Sequence, residues 1–213
     1  MAKGERGELI AAAQALDALG FMPSKSGNLS TRTKRGFLIT PSALPYSATL
    51  PGDLVEVALD GTVLRGKRKP SSEWRLHAEV YAARPEVEAV VHTHSPMATA
   101  LSCARQGLPP FHYMIVMGGG TDIRCSDYAT FGTQALALAG VAALAGRKAA
   151  LLANHGVLAT GRTLAGAKAV AMEVENLARQ YLALLGAGLQ PILLSPAELE
   201  DVVSQFGGYG RLG

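Results

Sequence analysis

Two histidines one residue apart end an apolar run at residues 88–95, EAVVHTHS. In a strand, side chains two positions apart share a face, so His92 and His94 project together as a two-pronged metal clasp. A third histidine, His155, follows a second apolar run of the same character at residues 149–156, AALLANHG. Three neutral imidazoles with an open fourth position describe a catalytic zinc site, since a structural site closes all four positions. An H-x-H motif is common enough by chance that its surroundings must decide. Here Ser95, Pro96 and Met97 follow it. A metallo-β-lactamase would instead continue with aspartate and histidine, and a cupin would place a glutamate a few residues on within an all-β run. A carbonic-anhydrase-like hydration site fits on ligand count alone but leaves the polar loops without a role.

The elements that must carry these groups follow from periodicity. Residues 5–19 repeat apolar side chains at helical spacing and stop at Gly20. Residues 23–32, PSKSGNLSTR, read as a surface turn. Strands are predicted at 36–40, 53–59 and 62–64, the last two joined by the hairpin signal Asp60-Gly61. A helix over 73–84 begins beside Ser71 and Ser72 and is closed by Pro85, and its first turn exposes N–H groups that suit an anion. Serines at a helix start more commonly serve only as caps. Ser95 and Pro96 form an N-cap and first-turn pair for a helix through Arg105. Residues 109–127 give a short strand and a long loop, and 130–145 a helix. A buried strand at 149–153 continues at 157–160 past a bend at His155 and Gly156. Helices at 163–185 and 195–205 precede a glycine-rich tail. The pattern predicts one α/β domain over residues 1–213, with a central mixed, largely antiparallel sheet flanked by helices.

Composition excludes several functions. A net charge of +3 and one short basic run, RGKRK at 65–69, argue against nucleic-acid binding. No apolar segment reaches membrane-span length, and residues 1–20 lack an export signal. Two cysteines, Cys103 and Cys125, are too few for a disulfide framework and suit a reduced cytoplasm. His77, one turn past Glu73, lacks the extra carboxylates of a second metal site and reads as an ordinary helix histidine.

Taken together, GNLS (27–30), ITPS (39–42), PSSEW (70–74), VVHTH (90–94), HYM (112–114), YATFGT (128–133) and NHG (154–156) resemble, in order and over nearly the whole chain, the class II aldolase/adducin family. The likeness is greatest to its L-fuculose-1-phosphate aldolase branch. The resemblance implies a zinc enzyme that reversibly cleaves a ketose 1-phosphate, such as L-fuculose 1-phosphate or a related deoxyketose 1-phosphate, into dihydroxyacetone phosphate and an aldehyde such as L-lactaldehyde. It implies Zn2+ on His92, His94 and His155, with Glu73 as a fourth ligand when substrate is absent and as the proton-moving group when it is present. It implies a phosphate site of Gly27, Asn28, Ser42, Ala43, Ser71 and Ser72, in which backbone N–H groups and hydroxyls replace an arginine cluster. It further implies catalytic roles for Tyr113 and Tyr209, contributed by the neighbouring subunit of a homotetramer, with Phe131 lining the aldehyde pocket.

Ala43 departs from the family's usual glycine, and a positive φ there would cost on the order of 1 kcal/mol. Alternatives within the family are a methylthioribulose-phosphate dehydratase, a tetronate-phosphate decarboxylase and a non-enzymatic adducin-like module. The family's epimerase replaces the tyrosine by an acidic residue, so Tyr113 speaks for the aldolase.

Overall fold

The computed structural model describes residues 3–209. Its strands are β1 (Asn28–Thr33), β2 (Gly36–Ile39), β3 (Val55–Val57), β4 (Val63–Arg65), β5 (Ala89–Thr93), β6 (Arg124–Cys125), β7 (Ala149–Leu152) and β8 (Gly156–Gly161). They form one sheet in the order β4-β3-β2-β1-β5-β8-β7-β6, antiparallel throughout except for the parallel β6–β7 pair. The helices are α1 (Lys3–Ala18), α2 (Trp74–Ala83), α3 (Pro96–Cys103), α4 (Gln134–Ala143), α5 (Leu164–Gly186) and α6 (Pro196–Tyr209). The expected α/β class with a mixed, largely antiparallel sheet is what forms.

Both faces of the sheet are covered. Val91, Leu151 and Val157 pack into one core with Leu9 and Leu16 of α1, Leu101 of α3 and Val174 of α5. Val90, Leu152 and Leu158 pack into the other with Leu76 and Val80 of α2 and Leu136 of α4. Alternate residues of each central strand thus enter opposite cores, and the strands read as unbroken apolar runs because neither face meets water.

Two expectations are corrected. Residues 28–33 are a strand and not part of a surface turn; β1 lies between β2 and β5, with Asn28 paired to His92 and Ser30 to Val90. Its polar residues concealed it, because Asn28 and Ser30 turn toward a polar stripe of α2 and not toward an apolar core. Residues 157–160 do not prolong the preceding strand. The chain reverses at Asn154, whose φ is 53°, and β8 runs back antiparallel to β7. The last helix also extends further than expected, to Tyr209.

The start of α3, which fixes the chain just after His94, is held from outside. Ser95 stands at the predicted N-cap but its side chain makes no capping bond. The buried carboxylate of Glu175 on α5 accepts the N–H groups of Met97 (3.0 Å) and Ala98 (2.9 Å) in its place. A carboxylate suits the positive end of a helix, and bonds to a charged acceptor are the stronger kind. Replacing Glu175 by Ala is expected to lower stability by about 2–4 kcal/mol, measured by urea denaturation. A loss under about 0.5 kcal/mol, the range of ordinary surface changes, would contradict this role.

Candidate metal centre and substrate cavity

Two strand-end segments and one helix start converge on a single point. His92 is the penultimate residue of β5 and His94 lies one residue past it, pinned by its N–H donating to Phe21 O at 2.9 Å. His155 sits in the β7–β8 turn, its N–H directed to Leu152 O at 3.0 Å. Glu73 occupies the N-cap position of α2, with its N–H against Ser71 Oγ at 3.3 Å. The three imidazole rings stand 4.8 Å apart in every pairing, each steeply inclined to the others. One ligand atom from each of the four residues lies within 4.8 Å of every other, which is the geometry of a site able to hold a metal ion.

Two glycines make this approach possible. Gly27 has φ +79°, and a Cβ there would come within 2.7 Å of His92 O. A Cβ on Gly156 would come within 2.3 Å of Thr93 O. Both distances are shorter than real side chains tolerate, so GNLS and NHG carry glycine for backbone contact with the histidine strand.

The donor chemistry tests whether a cation fits. His92 Nδ1 lies 2.8 Å from Val157 O, and a carbonyl only accepts, so Nδ1 carries the proton. In neutral His92 the Nε2 lone pair then faces Glu73 Oε2 at 3.1 Å and His94 Nε2 at 3.0 Å, while Glu73 Oε1 lies 3.2 Å from His155 Nε2. Converging lone pairs repel unless a positive charge sits among them, as a proton or a metal ion. Burial alone would raise the Glu73 carboxyl pKa, yet the His92 charge and the hydrogen bonds from His155 and His92 overcome it and hold Glu73 well below the usual carboxylate range. Burial, followed by the charges of His92 and His155, pushes His94 down to about 3. The set therefore fits a metal: three imidazoles and a carboxylate converge, and a backbone acceptor fixes the tautomer of one ligand.

Beside the cluster lies a cavity of about 320 Å³. Gly27, Asn28, Ser42, Ala43, Ser71 and Ser72 line it together with Glu73, His94 and His155, so the six residues expected to hold phosphate share one space with the cluster. Backbone bonds from Ser42 N to Lys69 O (3.0 Å) and from Ser71 N to Thr40 O (3.2 Å) draw the two serine loops side by side. Tyr128, Ala129 and Phe131 form a more apolar wall, and Phe131 is 66% exposed.

Not every expected residue joins them. Tyr113 is 49% exposed and lies outside this lining. Tyr209 closes α6, and its side chain lies outside the described residues. Lys25, in a left-handed turn with φ 65°, lines the cavity and was not singled out, because a lone lysine in a turn carries no spacing signal. His77, which reads in the sequence as an ordinary helix residue, is fully buried behind the cluster and hydrogen-bonded at both ring nitrogens. Its place four residues after Glu73 was the available signal, since that spacing puts both on one helix face.

A family model for the class II aldolase and adducin N-terminal domain matches residues 7–182. The chain is 50% identical over 202 residues to a 5-methylthioribulose-1-phosphate/5-deoxyribulose-1-phosphate aldolase of Rhodospirillum rubrum, covering 95% of this chain and 90% of that one. It is 42% identical over 193 residues to an L-fuculose phosphate aldolase of Haemophilus influenzae, covering 90% and 88%. Among solved structures, an L-fuculose 1-phosphate aldolase superposes with a TM-score of 0.92 at 36% identity, over 97% of this chain and 98% of the other. The chain belongs to the class II aldolase and adducin family. Within it, the chain is an enzyme of the aldolase kind, a lyase.

Ala43 has φ 60°, so the strain expected of alanine at this position is present. Ala43→Gly is expected to relieve it, for a net gain of up to about 1 kcal/mol after the entropy that glycine adds to the unfolded chain, read from the denaturation midpoint. A clear loss of stability would argue that the methyl group is needed for packing.

A pH dependence follows from His77. Burial, then the charge of His92, lowers its pKa to about 3, against roughly 6.5 in an unfolded chain. Between those values the unfolded chain binds a proton that the folded one refuses, so stability falls as pH drops from about 6.5 toward 3, by at most about 1.4 kcal/mol per pH unit from this group. Urea denaturation of the metal-free protein at pH 7 and pH 5 should show a loss that shrinks in His77→Gln; an equal loss in both would contradict the assignment.

Proposed function

We propose that the chain catalyses reversible aldol cleavage of a 5-deoxyketose 1-phosphate, of the 5-deoxyribulose or 5-methylthioribulose type, to dihydroxyacetone phosphate and an aldehyde, with Zn2+ held by His92, His94, His155 and Glu73. The observation that carries this reading is a single cavity in which that cluster meets a polar cradle of hydroxyls, an amide and backbone. The Rhodospirillum rubrum relative favours a deoxypentulose phosphate over L-fuculose 1-phosphate, and the apolar wall of Ala129 and Phe131 suits an aldehyde ending in a methyl or thioether group. The whole chain, residues 1–213, acts as one catalytic domain, in the reducing cytoplasm that its two unpaired cysteines suit.

Phosphate is held by the side chains of Asn28, Ser42, Ser71 and Ser72 and by backbone at Gly27 and Ala43, through oriented dipoles. When bound, zinc supplies Lewis acidity that stabilises the negative charge left on the ketose fragment as the carbon–carbon bond breaks. Glu73, ionised and at the junction of cluster and cavity, moves the proton at the adjacent substrate carbon or hydroxyl. Tyr113 and Tyr209 serve the aldehyde end from a neighbouring copy in a homotetramer. The exposed position of Tyr113, away from the cavity of its own chain, supports that arrangement.

Zinc-loaded protein incubated with 5-deoxyribulose, 5-methylthioribulose and L-fuculose 1-phosphates should release dihydroxyacetone phosphate fastest from one of the first two. Release from none would overturn the aldolase reading, and fastest release from the third would overturn the substrate assignment. Tyr113→Phe should retain zinc and lose on the order of a hundredfold in kcat, in line with the loss of a general acid–base group. Unchanged kcat would remove the tyrosine from the mechanism.

A further inference from the structure

Helix α2 presents Glu73, His77 and Tyr81 at intervals of four, on one face, toward the polar residues of β1. Behind the cluster these groups form a continuous buried chain. Tyr81 Oη lies 2.8 Å from Ser30 Oγ, and Ser30 Oγ lies 2.6 Å from His77 Nδ1. His77 Nε2 lies 2.5 Å from Asn28 Oδ1, and Asn28 Nδ2 donates to Glu73 Oε2 at 3.0 Å. Ser30, His77 and Tyr81 are at most 1% exposed and Asn28 is 3% exposed, so water does not substitute for any link.

The direction of the chain follows from its Glu73 end. Asn28 Nδ2 donates to Glu73 Oε2, which leaves the amide oxygen facing His77 Nε2. An oxygen can only accept, so His77 Nε2 carries the proton, and in the neutral ring Nδ1 accepts from Ser30, which in turn accepts from Tyr81. The His77 ring is held in plane by Phe37, stacked at 17° with centroids 6.4 Å apart.

An amide nitrogen has two hydrogens. One of Asn28's goes to Glu73; Asn28 also lines the cavity, and among the described residues no other acceptor takes the second. A reversed amide would set Oδ1 against the carboxylate and offer the substrate phosphate an acceptor in place of a donor. Nothing in an amide's shape prevents that reversal, since its two ends are nearly isosteric. The Glu73 carboxylate at one end and the Nε2–H of His77 at the other oppose it together.

We propose that His77 is a positioning residue: through the amide of Asn28 it fixes the orientation of the Glu73 carboxylate and keeps an N–H directed at the substrate phosphate, with Ser30 and Tyr81 selecting the required tautomer. The inference rests on the metal and proton-moving roles proposed above for Glu73. It extends them to a residue that touches neither metal nor substrate.

The test uses the full-length protein in two assays. His77→Leu should lower kcat by tenfold or more and weaken zinc binding, followed by chelator competition on metal-free protein, by about tenfold, as losses of groups behind metal ligands do. His77→Gln, which can still donate toward Asn28, should recover most of both. In an Asn28→Ala background, His77→Leu should cause no further loss of kcat, because the residue through which it acts is gone. Ser30→Ala, a small change that preserves the packing if His77→Leu fails to fold, should lower kcat about threefold or more by releasing the tautomer, a modest share of the tenfold scale for such outer contacts.

Wild-type kcat and zinc affinity in His77→Leu would overturn the proposal, as would losses that multiply in the double variant. If His77→Leu does not fold, unchanged kcat and zinc affinity in Ser30→Ala would overturn it. The zinc assay separates the two levels of inference. Should the wild-type protein cleave none of the sugar phosphates, the functional reading fails, while the difference in zinc affinity between wild type and variant still decides the role of His77.

Discussion

The arrangement of the molecule around its centre depends on one electrostatic constraint: acceptor atoms are brought together at the floor of a cavity, at the end of a buried strand. His92 is fully buried and Glu73 nearly so, and the proton that His92 gives to Val157 O is unavailable to the atoms it faces. Such convergence is unfavourable by itself and becomes favourable around a cation. The sequence features nearest to the histidines serve that convergence. Gly27 and Gly156 let neighbouring strands approach β5, Asn154 turns the chain so that His155 faces back, and Glu175 holds the start of α3 so that His94 stays in place.

The constraint extends outward through α2 and β1. The antiparallel pairing of β1 with β5 sets Asn28 directly across from His92, and α2 lies over both with Glu73 and His77 four residues apart. A residue that lines the cavity and the carboxylate of the cluster are therefore joined by a hydrogen bond, and neither can shift without the other. This is an economical way to relate the end of a substrate that is recognised to the end that reacts, because a fixed distance between two parts of the protein becomes a fixed distance along the ligand.

Much of this was legible in the sequence, and the failures share a cause. The spacing of His92 and His94, the apolar runs before the histidines, the Asp60-Gly61 hairpin and the helices α1, α2 and α5 all follow from periodicity and turn chemistry, which act locally. Strand β1 was missed because its inward residues are polar and are satisfied by side chains some 45 to 51 positions away. His77 was undervalued for the same reason, since its partners lie on that unrecognised strand. The reversal at Asn154 left only a non-glycine residue in a left-handed conformation as its sign, which a sequence does not display. Local rules identify elements that bury apolar surface; they are silent where the buried surface is polar and its partners are distant.

The same geometry has a consequence for the folding of the chain. The four donors come from position 73, from 92 and 94, and from 155, so an ion among them links the start of α2, the end of β5 and the β7–β8 turn across more than eighty residues. Such an ion would act as a reversible cross-link between segments that are far apart in sequence, and would favour the native state over the unfolded chain more strongly as its free concentration rises. An ion that served chemistry there would then also be a fastener. An enzyme built this way would be most vulnerable to heat and proteolysis when metal is scarce, so that supply of the ion would govern how long the protein lasts as well as how fast it works.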